Sequence, residues 1–221
     1  MTAVVFDFDG TILDTETPNF RAWQAIFAEE GAELQAEDFV RCIGTRGAFD
    51  WGDLLAKKLG RPGPTGAELF ARKQPLNEAA IATAGPRPGV VEWMETALAG
   101  GLRIAIASSS ERWWIEPKLA AHGLDRFVEH VSSWDGPGCG LRAKPAPDLY
   151  EHACAALGVE PGAALAVEDS ANGVNAAKAA GLWCVATPGT FGAYMDLGAA
   201  DLVLGSLAER SLHDVLALLG Q

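Results

Sequence analysis

At 221 residues, 49% of them hydrophobic, the chain is long enough for one sizeable core carrying a smaller insert. Its net charge of -12 argues against nucleic acid and anionic membrane surfaces as partners, because both repel an acidic protein. No apolar run approaches the roughly 20 residues needed to span a bilayer. No basic segment or cleavage site follows Met1 either, so the expectation is a cytoplasmic protein, taken to be a monomer.

The stretch from Val4 to Thr11 reads as a short buried strand ending in two carboxylates, Asp7 and Asp9. Side chains alternate along a strand, so both acids would point to the same side if the strand continued. Gly10 lets the chain turn away. Two like charges 4 Å apart repel by roughly 4 kcal/mol at an effective dielectric near 20. A metal ion, a shared proton or a nearby cation would offset that cost, although Asp-Gly is also a common turn pair. Next, Thr17 is expected to cap a helix with Pro18 in its first turn. Phe20, Trp23, Ile26 and Phe27 recur at helical spacing up to Gly31. Phe49, Trp51, Leu54, Leu55 and Leu59 mark another helix that ends at Gly60, and Thr65 with Glu68 forms a capping box that opens a third. No strand is expected between residues 14 and 86, and Gly85-Pro86-Arg87-Pro88-Gly89 marks a change of architecture.

Helices and apolar strands then alternate. Helices are expected over Val90 to Ala99, Glu111 to His122, Asp148 to Leu157, Ala171 to Ala180 and Ser211 to Leu219. Strands are expected over Leu102 to Ala107, Phe127 to Val131, Ala163 to Val167, Leu182 to Ala186 and Leu202 to Leu204. This alternation predicts an α/β fold, a three-layer, doubly wound, Rossmann-like parallel sheet. A small all-helical cap domain is inserted after its first strand. Residues 1–14 and 87–221 would form the core domain and residues 15–86 the cap. The widely spaced Cys42, Cys139, Cys154 and Cys184 show no CxxC pair, so neither zinc nor a disulfide framework is expected. None of the four histidines adjoins a candidate nucleophile.

Polar residues collect where apolar strands stop: Asp7 and Asp9, Ser108, then Glu168 and Asp169, with Lys144 after a weaker strand. In open parallel sheets, sites form at the carboxyl ends of strands, where residues distant in sequence meet. Clustered Asp and Glu suit a hard divalent cation, most simply Mg²⁺. Such an ion, together with Lys144, would make the site attractive to a phosphate dianion. Ser108 and the residues after it, Ser109 first, would cradle the phosphate oxygens near a helix start. Asp7 would attack phosphorus, and Asp9 would protonate the leaving oxygen and later deprotonate water.

These motifs, Asp7-Phe8-Asp9-Gly10-Thr11, Ser108, Lys144-Pro145 and Glu168-Asp169, resemble those of the haloacid dehalogenase superfamily. The resemblance is to the branch that holds small-sugar-phosphate phosphatases and beta-phosphoglucomutase. It extends over the whole chain, with the helical insert at the family's cap position. It implies that Asp7 is the nucleophile and Asp9 the acid/base. It also implies that Asp7, the Asp9 backbone carbonyl, Glu168 and Asp169 bind Mg²⁺, and that Ser108 and Lys144 bind the phosphoryl group. Members that cleave carbon–halogen bonds lack the second acid, so Asp9 points to phosphate-ester chemistry on a small phosphorylated metabolite.

The mutases of this branch carry a histidine in the first cap helix, where this chain has Asn19. That departure favours a phosphatase, with a mutase as the alternative. Arg46 and Lys73 are similar to the mutases' cap cations and, with Asn19, are the expected substrate contacts on the cap side. A phosphorylation-dependent receiver module uses a similar acid set, but it is a single α/β domain without the insert of residues 14 to 86.

Overall fold

Strand β1, Ala3–Phe6, has no polar side chain and is buried along its length, as suits a central strand covered on both faces. In the computed structural model, which describes residues 1–43 and 49–220, it is followed by α1 (Glu16–Glu29), α2 (Ala36–Phe39), α3 (Trp51–Leu59) and α4 (Gly66–Ile81). The chain continues through α5 (Val90–Ala99), β2 (Arg103–Ser108), α6 (Arg112–Ala121), β3 (His130–Ser133), α7 (Asp148–Leu157) and β4 (Ala164–Glu168). It closes with α8 (Ala171–Ala179), β5 (Trp183–Ala186), β6 (Leu202–Val203) and α9 (Leu212–Leu218). All strand pairings are parallel, in the order β3-β2-β1-β4-β5-β6. This is the doubly wound sheet that the alternating pattern predicts.

The two faces of the sheet differ in bulk. Val4, Phe6, Ile104, Ile106, Leu165 and Val167 point to one side, where Trp93 and Met94 of α5 and Ile115 of α6 complete the core. The opposite face offers Ala3, Ala105, Ala107, Ala164 and Ala166 to α7 and α8. Register places the end of β1 level with both neighbours, since Phe6 pairs with Ile106 on one side and Val167 on the other. The residues that follow the three strands therefore emerge side by side.

Helices α1 to α4 pack on one another around Trp23, Phe27, Phe39, Leu55 and Leu69. Trp23 is core, stacked on Trp51 at 4.1 Å. The Thr65–Glu68 capping box forms, with Glu68 N–H donating to Thr65 Oγ1 at 3.3 Å and Thr65 N–H to Glu68 Oε2 at 2.8 Å. The first helix departs from expectation: it begins at Glu16, ahead of Thr17, because Asp14 Oδ1 accepts the Thr17 N–H at 3.0 Å. Pro18 therefore sits within the first turn, where a missing N–H costs little. Strand β3 is displaced from the predicted Phe127 to Val131, because Phe127 closes a 3₁₀ turn and pairing begins at His130.

The two chain crossings between helices and sheet touch each other. Leu13 and Pro86 form an antiparallel bridge, and Arg87 N–H donates to Ile12 O at 2.8 Å. Asn172 Nδ2 donates to Ile43 O at 3.1 Å, and the Thr17 and Thr190 hydroxyls lie 2.9 Å apart. Phe191, in the loop after β5, puts its ring against Phe20 and Phe39, at 5.2 and 5.1 Å between centroids. No helix among the described residues is long and apolar enough to cross a membrane. All four cysteines are free.

Candidate active site

Asp7 leaves β1 while still paired, its N–H donating to Val167 O at 2.9 Å. That hydrogen bond places its carboxylate beside the end of β4, where Glu168 and Asp169 stand. One oxygen from each of Asp7, Glu168 and Asp169 lies within 4.8 Å of the others, and all three residues are buried. Lys144 enters from the loop before α7 and is 2% exposed. Its ammonium donates to Asp7 Oδ1 at 2.5 Å and also to Glu168 Oε1. Tyr150, on the alanine-rich side, donates its hydroxyl to the same Glu168 oxygen at 2.7 Å. The other Glu168 oxygen accepts from the Asp169 N–H at 3.2 Å and the Ser170 hydroxyl at 3.3 Å.

Two glycines make this crowding feasible. Gly10 has φ of +82°, and a Cβ there would lie 1.9 Å from Asp169 Oδ2. A Cβ on Gly173, in the first turn of α8, would lie 1.9 Å from the Glu168 carboxyl carbon. Only a hydrogen fits at either place.

Burial raises the Asp7 carboxyl to about 8, with the Lys144 attraction opposing and the Glu168 charge adding to the rise. Burial and the charges of Asp7 and Glu168 push Asp169 well above the usual carboxylate range. Burial opposes the charge on Lys144, but attraction to Asp7 and Glu168 outweighs it and holds the ammonium protonated above its usual range. Glu16, at the start of α1, is raised to about 8 by burial and by the charges of Asp9 and Asp7. Carboxylates that retain protons for want of positive charge, with oxygen-only donors within reach of one point, fit a hard divalent cation such as Mg²⁺.

Asp9 is organised differently. Its carboxylate is not part of that trio; Oδ2 accepts from the Ser110 hydroxyl at 2.5 Å and Oδ1 from Trp114 Nε1 at 2.9 Å. The Lys118 ammonium lies 3.2 Å from the centre of the Trp114 ring. Ser108 Oγ accepts the Ser110 N–H at 3.0 Å, and Ser109 Oγ accepts the Lys144 N–H at 3.1 Å. The three serines thus tie the end of β2 to both Asp9 and Lys144.

Above these groups a cavity of about 680 Å³ opens between the sheet and the helical insert. Asp7, Asp9, Ser108, Ser109, Lys144 and Asp169 line its floor, while Asn19 and Lys73 line it from α1 and α4. Lys73 Nζ donates to Asn19 Oδ1 at 2.9 Å, so the two form one unit. Glu168 stands behind Lys144 without lining the cavity. Arg46 lies outside the described residues. Arg142 is turned to Asp148 at 2.7 Å and does not reach the cavity.

Four contributors escape sequence reasoning. Tyr150, Trp114 and Gly173 lie inside the helices predicted over Asp148 to Leu157, Glu111 to His122 and Ala171 to Ala180, where nothing in the sequence singles them out. Arg87 donates to Gly10 O, Thr187 O and Pro188 O, clasping the acid loop to the end of β5. Only the strand-end position of Ser110, third in a serine run, offered a signal.

A family model described as haloacid dehalogenase-like hydrolase matches residues 1–181. The chain is 36% identical over 216 residues to YhcW of Bacillus subtilis, covering 95% of this chain and 94% of that protein. It is 31% identical over 243 residues to the beta-phosphoglucomutase of Mycobacterium tuberculosis, covering 94% and 90%. The crystal structure of a variant of CbbY from Rhodobacter sphaeroides, in complex with xylulose-(1,5)bisphosphate, superposes with a TM-score of 0.73. That pair is 30% identical and covers 96% of this chain and 98% of the other.

Proposed function

The chain belongs to the haloacid dehalogenase-like hydrolases, and we propose that it is a Mg²⁺-dependent phosphatase of small phosphomonoesters, with an aspartyl-phosphate intermediate on Asp7. The observation that carries this reading is the cluster of Asp7, Glu168 and Asp169, in which a buried Lys144 bridges Asp7 and Glu168 and from which Asp7, Asp169 and Lys144 open to one cavity. Asp7, Glu168 and Asp169, with the Asp9 backbone carbonyl, would hold the ion. When bound, Mg²⁺ supplies the positive charge that an anionic phosphate and an ionised Asp7 both need.

The remaining work falls to side chains. Lys144 holds Asp7 by its Oδ1, which leaves Oδ2 as the nucleophilic oxygen. Ser108, with Ser109 beside it on the cavity floor, receives the phosphoryl oxygens. Asp9, held by Ser110 and Trp114, protonates the leaving alcohol and then accepts a proton from the water that hydrolyses the acyl phosphate. The helical insert lines one side of the cleft through Asn19 and Lys73. Support for a small phosphorylated substrate comes from the related CbbY, whose complex holds xylulose-(1,5)bisphosphate.

Asn19 supports hydrolysis over transfer to a sugar hydroxyl. It occupies the place where the resembling mutases carry a histidine, and its carboxamide is bonded to Lys73. The test is phosphate release over a panel of small phosphomonoesters with Mg²⁺, with EDTA and with Asp7→Asn. Release that needs both Mg²⁺ and Asp7 is expected. Full activity in Asp7→Asn would remove the covalent mechanism. Glucose 6-phosphate formed from beta-glucose 1-phosphate faster than free phosphate would make the enzyme a mutase.

A further inference from the structure

His130 on β3 and His152 on α7 stand 22 residues apart in sequence and meet where the helix packs at the edge of the sheet. His130 Nε2 lies 3.4 Å from His152 Nδ1, and the ring centres are 5.1 Å apart with the planes at 61°. Ser132, buried on the same strand as His130, holds its Oγ 2.8 Å from the same His152 nitrogen. A straight N–H···N hydrogen bond between two imidazoles at this spacing would set the ring centres about 5.7 Å apart, and the spacing is itself long for such a bond. Two imidazoles on one tetrahedral Zn²⁺, with Zn–N of about 2.0–2.1 Å, have nitrogens about 3.3 Å apart and ring centres about 5.2 Å apart. The observed spacings match the second arrangement. His130 is half-buried and His152 exposed, so the pair is open to solvent. Burial, then the neighbouring His152 and Arg112, holds His130 below the usual imidazole range, in the neutral form that a metal binds. Arg112 is itself ion-paired with Glu116 at 2.8 Å, and Glu116 and Asp125 line the shallow groove that runs past His130.

Imidazole nitrogen suits Zn²⁺, Cu²⁺ and Ni²⁺, whereas Mg²⁺ prefers oxygen, so this pair differs in kind from the acids around Asp7. We propose that His130 and His152 form a second metal site, for a divalent transition-metal ion such as Zn²⁺. Ser132 Oγ stands at hand as a third donor, and water fills the remaining positions. His130 belongs to the edge strand and His152 to the helix packed on it, so the ion clamps β3 to α7. Cysteine spacing gives no sign of this site, because the two histidines come together only through that packing. The proposal is independent of the phosphatase reading.

The test is a calorimetric titration of the untagged protein with Zn²⁺ in excess Mg²⁺, which keeps the acids around Asp7 occupied. Wild-type protein is expected to bind Zn²⁺ and to gain melting temperature from it. His130→Gln and His152→Gln should each weaken that binding by at least about tenfold, the lower end of what even a ligand's hydrogen-bond partner is worth, and should abolish the gain in melting temperature. His213→Gln, on α9, should bind as wild type does. If His130→Gln does not fold, His152→Gln decides alone, since that position is exposed. Long-range ¹H–¹⁵N spectra of the imidazoles locate the ion directly. The His130 Nε2 and His152 Nδ1 resonances, assigned by their loss in the two variants, should move with Zn²⁺ and stay in place with Mg²⁺ alone. Zn²⁺ binding of equal strength in wild type and His152→Gln, or a titration that moves neither ring, overturns the proposal and leaves an ordinary histidine pair.

Discussion

Trp114→Phe isolates one hydrogen bond at the proposed acid/base. Each oxygen of the Asp9 carboxylate has one donor, Ser110 Oγ at 2.5 Å and Trp114 Nε1 at 2.9 Å. Phenylalanine keeps an aromatic ring for Lys118 to cover but removes the indole N–H. A hydrogen bond to a charged group contributes about 1.5–3 kcal/mol net. The lower end applies because Asp9 is only half-buried and Ser110 still holds its other oxygen. About 1.5 kcal/mol of lost positioning corresponds to a tenfold fall in kcat. KM should change less than about twofold, because the indole N–H is directed at Asp9 rather than at a bound ester. The decisive assay is a double-mutant cycle with Asp9→Asn. Asp9→Asn alone should lower kcat by roughly 100-fold or more. Adding Trp114→Phe to it should then cost less than about twofold, since the bond has nothing left to position. Equal losses from Trp114→Phe in both backgrounds would refute the reasoning and leave Trp114 as a packing residue.

Asp7 and Glu16, raised to about 8 from the ordinary carboxylate range near 4, make the metal-free protein lose stability as pH rises from about 4 to 8. A folded-state pKa above the unfolded one contributes stability only while the proton is retained; Glu68 and Asp148, shifted down, act at lower pH, outside that window. Melting temperatures with EDTA should therefore fall between pH 5 and 8, while the increment from added Mg²⁺ should grow; an increment independent of pH would argue against ion binding at these acids. Lys144→Met strands Asp7 and Glu168 beside each other and should cost about 3 kcal/mol, or about 10 °C in melting temperature at pH 7.5, with partial recovery at pH 5. Gly10→Ala should reduce turnover at least roughly 100-fold by displacing Asp169, whereas Gly31→Ala, with φ of +83° and nothing within 4 Å, should cost only about 1 kcal/mol of backbone strain and no activity. Circular dichroism melts and phosphate release separate the two glycine variants.

The sheet was legible in the sequence because its strands are apolar on both faces and stop at polar residues, a pattern short helices do not produce. Asp7, Ser108, Lys144 and Asp169 were legible as a group because parallel strands bring their carboxyl ends together. What stayed hidden depended on orientation. Trp113 and Trp114 are adjacent on α6, and only the angle of the helix decides that one faces solvent and the other reaches Asp9. Tyr150 lies on the buried stripe of α7, and nothing in that stripe tells its hydroxyl from the surrounding hydrocarbon. Thr17 and Pro18 carried the usual helix-start signal, but Asp14 reached the Thr17 N–H and moved the boundary earlier.

Phe191 belongs to the loop after β5, yet its ring is lodged like a dowel among aromatic side chains of the inserted helices. A swing of those helices must either withdraw the ring into water or drag its loop along. Withdrawal forfeits roughly 1.5–3 kcal/mol of burial. Dragging tugs on Thr187 and Pro188, whose carbonyls hold Arg87, and Arg87 in turn grips Gly10 beside Asp9. The attitude of the helices and the aim of the acids are thereby geared to a single mechanical coordinate.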